Sequence, residues 1–155
     1  MIDRELFDEL SPRALEWAKT QEEFIRANGS PLSAAATIDA TRAGVQHPEC
    51  IRVLVVDRIP LPDDPQLAEA SRRAQIITDA SRAVAMGYGI VVRADCWGDR
   101  ELLIHQFVHV AQCERHGGVE AFAQHYLSDR TESPQFTLGE LEEEARRIAR
   151  QLNRR

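Results

Sequence analysis

Helix boundary signals and amphipathic stretches alternate in the first part of the chain. Apolar residues recur every three to four positions after Ser11 and Pro12, a pair that is typical of a helix start. A second Ser-Pro pair begins at Ser30, and Gly44 provides the stop. The pattern predicts a helical hairpin over about 12–43. The side chains expected in its interface are Leu15, Trp17, Phe24, Ile25, Leu32 and Ile38.

The rest of the chain combines two short β-branched runs with three longer helical patterns. The runs lie within about 51–93 and predict a small sheet. The elements expected after the hairpin are strands at 51–56 and 89–93 and helices at 66–74, 100–116, 119–127 and 137–153. We therefore expect one α+β domain over residues 1–155, mostly helical with a small β-sheet.

Composition and charge exclude several classes of function. With 43% hydrophobic and 28% charged residues, the chain has the balance of a globular domain. No apolar run approaches the roughly 18 residues of a membrane helix, so no membrane partner is expected. A net charge of −6 argues against a nucleic-acid partner, which would need a broad basic face. Three widely spaced cysteines and no secretory leader pattern favour reduced thiols and a cytoplasmic location.

The predicted helix at 100–116 has an apolar face and a face with an unusual number of polar groups. The polar residues on that second face are Glu101, His105, Gln106, His109, Gln112 and His116. His105 and His109 are four residues apart, so their imidazoles lie one above the other. Two such rings can bind one small cation, and zinc is the ion best suited to them. The alternative is a pair of core histidines that only form hydrogen bonds.

The context of this pair carries a family resemblance. Residues 105–118 read HQFVHVAQCERHGG, and the first five letters resemble the HExxH motif of the zincin metallopeptidases. The longer segment is similar to uncharacterised bacterial proteins with an HELVHVAQYERLGG signature. Weaker similarity extends over nearly the whole chain and is most specific from Gly87 to Gly118. The resemblance implies a zincin-like domain of gluzincin type, with one zinc ion and a peptide or protein as partner.

The sequence departs from the motif at Gln106, the catalytic position where zincins have a glutamate. In zincins that carboxylate takes a proton from the attacking water and passes it to the leaving amine. A glutamine amide can hydrogen-bond a water but has no basic oxygen near neutral pH. Loss of a positioned general base typically costs on the order of 10²–10⁴-fold in rate. Glu101 lies on the same face, but we interpret it as an acceptor for an imidazole N–H and not as a replacement base.

A third metal ligand must come from another part of the chain, and the acidic run at 140–144 is the remaining source. On the predicted C-terminal helix, Glu143 points away from the apolar stripe, whereas Glu142 and Glu144 flank it. The resemblance to gluzincins favours Glu142, because those proteins supply a glutamate three residues before a small residue, here Ala145. Glu144 is the alternative.

Three functions stay open at this point. The first is a zinc-binding, metallopeptidase-like protein with a degenerate HQxxH motif and little or no hydrolytic activity. The second is a binding or structural module in which the metal only joins two helices. The third is an active zinc peptidase that has been inactivated by a glutamate-to-glutamine substitution at Gln106.

Overall fold

The computed structural model describes residues 4–132 and 139–155 and has an α+β architecture. Helices surround a three-stranded mixed sheet, so the coarse fold class agrees with the expectation from sequence. The elements are α1 (Arg4–Asn28), α2 (Ala34–Arg42), β1 (Arg52–Val56), α3 (Pro65–Arg73), β2 (Ala83–Met86), β3 (Gly89–Arg93), α4 (Arg100–His116), α5 (Val119–Glu132) and α6 (Glu140–Asn153), with short 3-10 helices at Pro48–Cys50 and Ala94–Cys96. Among the described residues, no helix has the length and apolar character needed to cross a membrane.

The predicted start of the first helix is wrong. α1 begins at Arg4, and Pro12 lies inside it. Ser11 does not cap the helix, because its hydroxyl donates a hydrogen bond to the Phe7 carbonyl one turn earlier (2.7 Å). Proline removes one helical hydrogen bond and its ring crowds the carbonyl one turn earlier, but the 25-residue helix includes it.

The predicted start of the second helix is also wrong, because Ser30 belongs to the sheet. Its backbone exchanges two hydrogen bonds with Val53 of β1, of 2.9 and 2.8 Å. The N-cap of α2 is instead Ser33, whose hydroxyl accepts a hydrogen bond from the Ala36 amide (3.1 Å). At Ser30, backbone hydrogen bonds with the edge of β1 therefore take the place of the helix cap that the local sequence predicted.

The two N-terminal helices do not form the expected hairpin interface. α1 packs against the sheet and α5, whereas α2 packs against α4. Phe24 and Ile38, which were expected in that interface, are 55% and 53% exposed. Ile25 is fully buried, but it packs beside the sheet with Met86 and Val91.

The sheet has the order β1-β3-β2, with β3 parallel to β1 and antiparallel to β2. The central position of β3 explains why Ile90, Val91 and Val92 are buried without alternation. β2 was not predicted, since Ala83–Met86 is short and has weak strand preference. It forms through a two-residue turn in which Gly87 has a φ of 61°, a value that suits glycine.

α4 lies at the centre of the molecule and spans the range predicted for it. Asp99 caps its first turn by accepting the Leu102 amide (3.1 Å), and Gly117 ends it with a φ of 90°. It packs against α6, which begins at Glu140; the predicted start at residue 137 lies outside the described residues. α5 continues to Glu132, beyond its predicted end at 127. This packing brings the polar face of α4 against α6 and α5.

Candidate metal centre

Three side chains from two helices converge at one end of a cleft. They are His105 and His109 of α4 and Glu142 of α6, and one possible ligand atom from each lies within 4.8 Å of the others. The Nε2 atom of His105 is 3.1 Å from one Glu142 carboxylate oxygen, and the Nε2 atom of His109 is 2.9 Å from the other. The structure therefore brings together the three residues that the sequence proposed as metal ligands.

The local helix geometry produces the histidine pair. His105 and His109 are one turn apart on α4, and their ring centroids are 4.9 Å apart with the ring planes at 72°. Glu142 lies in the first turn of α6, next to the buried stripe that holds α6 against α4. The packing of α6 against α4 thus places Glu142 opposite the two histidines.

The donor set fits a divalent cation such as zinc. Two imidazoles and one carboxylate are a known protein ligand set for zinc, with one position left open. Ligand atoms about 2.0–2.2 Å from a tetrahedral ion lie roughly 3.3 Å from one another. The observed separations of 2.9 and 3.1 Å between Glu142 and the two histidines are close to that value.

The surroundings of His109 give independent support for a cation. Its Nε2 atom faces Glu142, and its Nδ1 atom is 2.8 Å from the side-chain oxygen of Gln112. A neutral imidazole carries only one N–H and cannot donate to two acceptors. When Nδ1 donates to Gln112, the lone pair of a neutral His109 points from Nε2 towards Glu142, and a metal ion between Nε2 and Glu142 would satisfy both groups.

Gln112 is fully buried and orients this ring. Its amide nitrogen donates to the Leu141 carbonyl and to Glu144, both at 2.9 Å. With two acceptors on the nitrogen side, the amide oxygen must face His109, which fixes Nδ1 of that ring as a donor. The sequence analysis placed Gln112 on the polar face of α4 but gave it no role. The signal that could have revealed it is its position three residues after His109 on the ligand-bearing face.

Glu142 is held as a carboxylate. Burial by itself would raise the pKa of Glu142, but its close contacts with the His105 and His109 rings outweigh that effect and keep its pKa well below the ordinary value. Tyr126 of α5 adds a further hydrogen bond, since its hydroxyl donates to the same Glu142 oxygen that faces His109 (2.8 Å). Tyr126 was not predicted from the sequence, because it reaches Glu142 only through the packing of α5 against α4 and α6.

The two alternative carboxylates are not arranged as ligands. Glu144 accepts hydrogen bonds from Gln112 and, at 2.8 Å, from Arg115, and these contacts lower its pKa. It therefore supports the metal centre through Gln112. The side chain of Glu101 lines the same cleft but makes no hydrogen bond with His105 or with any other residue that the structure describes. The acceptor for an imidazole N–H that was expected at Glu101 is provided by Gln112.

Gln106 faces the cleft beside the three ligands. The cleft has a volume of about 570 Å³ and lies between α1, β2, α4, α5 and α6. The Gln106 side chain is only 4% exposed, yet its amide makes no hydrogen bond within the described part of the chain. A buried amide without a partner costs about 1–3 kcal/mol, so a group in the cleft that bonds to it gains that energy.

Comparison of the chain with protein-family models, with curated protein sequences and with solved structures gives no match. The residues of the candidate metal centre and their geometry are therefore the basis on which a function can be inferred.

Proposed function

We propose that this protein is a zinc-binding, metallopeptidase-like protein that holds one zinc ion through His105, His109 and Glu142 and has little or no hydrolytic activity. The observation that carries the proposal is the convergence of these three side chains, with acceptor oxygens facing both ring nitrogens of His109. The His₂Glu ligand set and the open cleft beside it favour a site that a ligand can reach.

The roles of the surrounding residues follow from their contacts. His105, His109 and Glu142 would hold the zinc ion, which would supply Lewis acidity towards a ligand carbonyl. Gln112 orients His109, and Tyr126 holds the Glu142 carboxylate. Gln106 can bind a water or a peptide group by donating or accepting a hydrogen bond, but it cannot take up a proton. The site thus has the groups needed for binding and lacks the base needed for rapid hydrolysis.

A structural role for the metal is the second candidate, and the position of the ligands favours it. His105 and His109 belong to α4 and Glu142 belongs to α6, so one ion would cross-link two helices whose packing forms much of the core. In that case the metal stabilises the fold, and zinc removal should lower the melting temperature markedly.

The experiment that separates these readings is the substitution Gln106→Glu. If the chain is a peptidase that lacks only its base, the variant should cleave a peptide library in a zinc-dependent and chelator-sensitive manner. The matched control is Gln151→Glu, which makes the same charge change on an exposed position outside the cleft. If zinc binds but Gln106→Glu gains no activity, the structural role is favoured. If neither protein binds zinc, the proposal is wrong.

A further inference from the structure

Two arginines of α6 extend the metal centre along the cleft. Arg146 and Arg150 follow Glu142 at intervals of four residues, so all three lie on one side of the helix, and all three line the cleft. Neither arginine forms an ion pair or hydrogen bond with any residue that the structure describes. Arg147, between them in sequence, does not line the cleft.

The charges of the cleft favour an anionic ligand. Asp99 is paired with Arg82 (2.6 Å), and the charge of Glu142 is engaged by the histidines. Of the described acidic side chains that line the cleft, only Glu101 is then without a partner, against two such guanidinium groups. A bound divalent cation would make this region more positive still, although the whole chain has a net charge of −6. Guanidinium groups bind carboxylates well, because they offer paired donors in matching geometry.

The remaining walls of the cleft identify further features of the ligand. The buried amide of Gln106 offers N–H donors and an acceptor oxygen, which can pair with the C=O and N–H of a peptide group. Trp17, Met86 and Phe122 add apolar surface. A carboxylate, a peptide group and apolar side chains occur together at the C-terminal end of a peptide.

We propose that the cleft binds the free C-terminal end of a peptide, with its α-carboxylate at Arg146 and Arg150 and a backbone amide at Gln106. At 1.5 Å per residue, the two arginines lie about 6 and 12 Å along α6 from Glu142. An extended peptide spans about 3.3 Å per residue. The carboxylate therefore lies about two to four residues from the peptide group nearest the metal centre. The distance of two to four residues rests on the proposed function, because it is counted from the metal centre. The carboxylate site at Arg146 and Arg150 and the amide site at Gln106 do not require a bound metal ion.

The test compares two peptide mixtures on the zinc-treated protein. Both contain N-acetylated tetrapeptides without Asp or Glu; one mixture has free C-termini and the other has C-terminal amides. We expect the free acids to bind at least tenfold more tightly, with a preference that weakens as salt is added. Arg146→Gln and Arg150→Gln should each remove most of this preference. The matched control Arg147→Gln changes the same charge on the same helix, outside the cleft, and should keep it.

The outcomes distinguish this inference from the proposed function, because zinc content is measured on the same samples. Equal binding of acids and amides, binding of neither, or equal effects of all three arginine variants would overturn the inference. If the protein holds zinc in any of those cases, the proposed function stands. If the protein holds no zinc but discriminates through Arg146 and Arg150, the carboxylate site stands and the proposed function fails.

Discussion

Gln112→Met is the substitution that most specifically perturbs the support of the metal centre. Methionine is unbranched and close to glutamine in size, so it fills the same space while it removes the amide. The three hydrogen bonds of Gln112 to His109, Leu141 and Glu144 are then lost in a fully buried environment. Glu144 keeps its contact with Arg115, whereas the Nδ1 donor of His109 is left without its acceptor.

The expected magnitudes follow from these contacts. Each lost hydrogen bond contributes about 1 kcal/mol net, and a buried donor without a partner adds a penalty, so unfolding free energy should fall by about 2–4 kcal/mol. Most domains have roughly 5–15 kcal/mol of stability, so the variant should still fold. Loss of the group that orients a metal-binding histidine typically weakens metal affinity by about 10–100-fold, and we expect a loss in that range.

Urea unfolding and competition with a fluorescent zinc chelator measure the two effects separately. The matched control is Gln151→Met, an exposed position of α6 at which both quantities should stay unchanged. A Gln112→Met protein with reduced stability but wild-type zinc affinity would show that Gln112 only packs the core. Unchanged stability and affinity would refute the hydrogen-bond network itself.

Three further predictions test other parts of the account. Glu142→Gln should weaken zinc affinity by more than 100-fold and Glu144→Gln by less, as measured by chelator competition; the reverse order would show that the ligand is misassigned. Gln106→Glu should leave zinc bound and raise zinc-dependent peptide cleavage, measured on a peptide library, by roughly 10²-fold or more if the base is all that the site lacks. Asp39→Asn should lower the free energy of unfolding near neutral pH by about 1 kcal/mol. Asp39 is only 13% exposed, and the hydrogen bonds that it accepts from Arg100 hold its pKa below the usual range. The stabilisation by Asp39 is complete above its unfolded-state pKa of about 3.9 and is lost as the pH falls through its lower folded-state pKa. Urea unfolding should therefore give the same free energy of unfolding for the wild type and the variant in acid. A difference that stays constant with pH would contradict the role assigned to Asp39.

The convergence of His105, His109 and Glu142 was predicted from the sequence, although only part of the signal is local. The spacing of His105 and His109 fixes their relative position on any helix. On the C-terminal helix the apolar stripe excluded only Glu143, and the choice of Glu142 over Glu144 came from the resemblance to gluzincins, with Ala145 three residues later. Gln112 and Tyr126 were missed, since their roles depend on how α6 and α5 dock against α4, which no local pattern encodes.

The errors in the N-terminal region have a common physical origin. Ser11 and Ser30 carry strong local helix-start signals, and in both cases long-range packing overrides them. α1 extends back to Arg4, and the turns before Pro12 are anchored by Leu6 and Leu10, which pack with Leu67 and Ala70 of α3. Ser30 pairs with Val53 because the backbone of an edge strand offers two hydrogen bonds, more than a cap provides.

The zinc content of the purified protein tests the central claim most directly. After zinc is supplied and excess metal is removed, elemental analysis should find about one zinc ion per chain. The double variant His105→Ala/His109→Ala should hold none, whereas His47→Ala, a substitution of an exposed histidine outside the cleft, should hold as much as the wild type. Absence of zinc from the wild-type protein, or an unchanged zinc content in the double variant, would contradict the assignment of this metal centre.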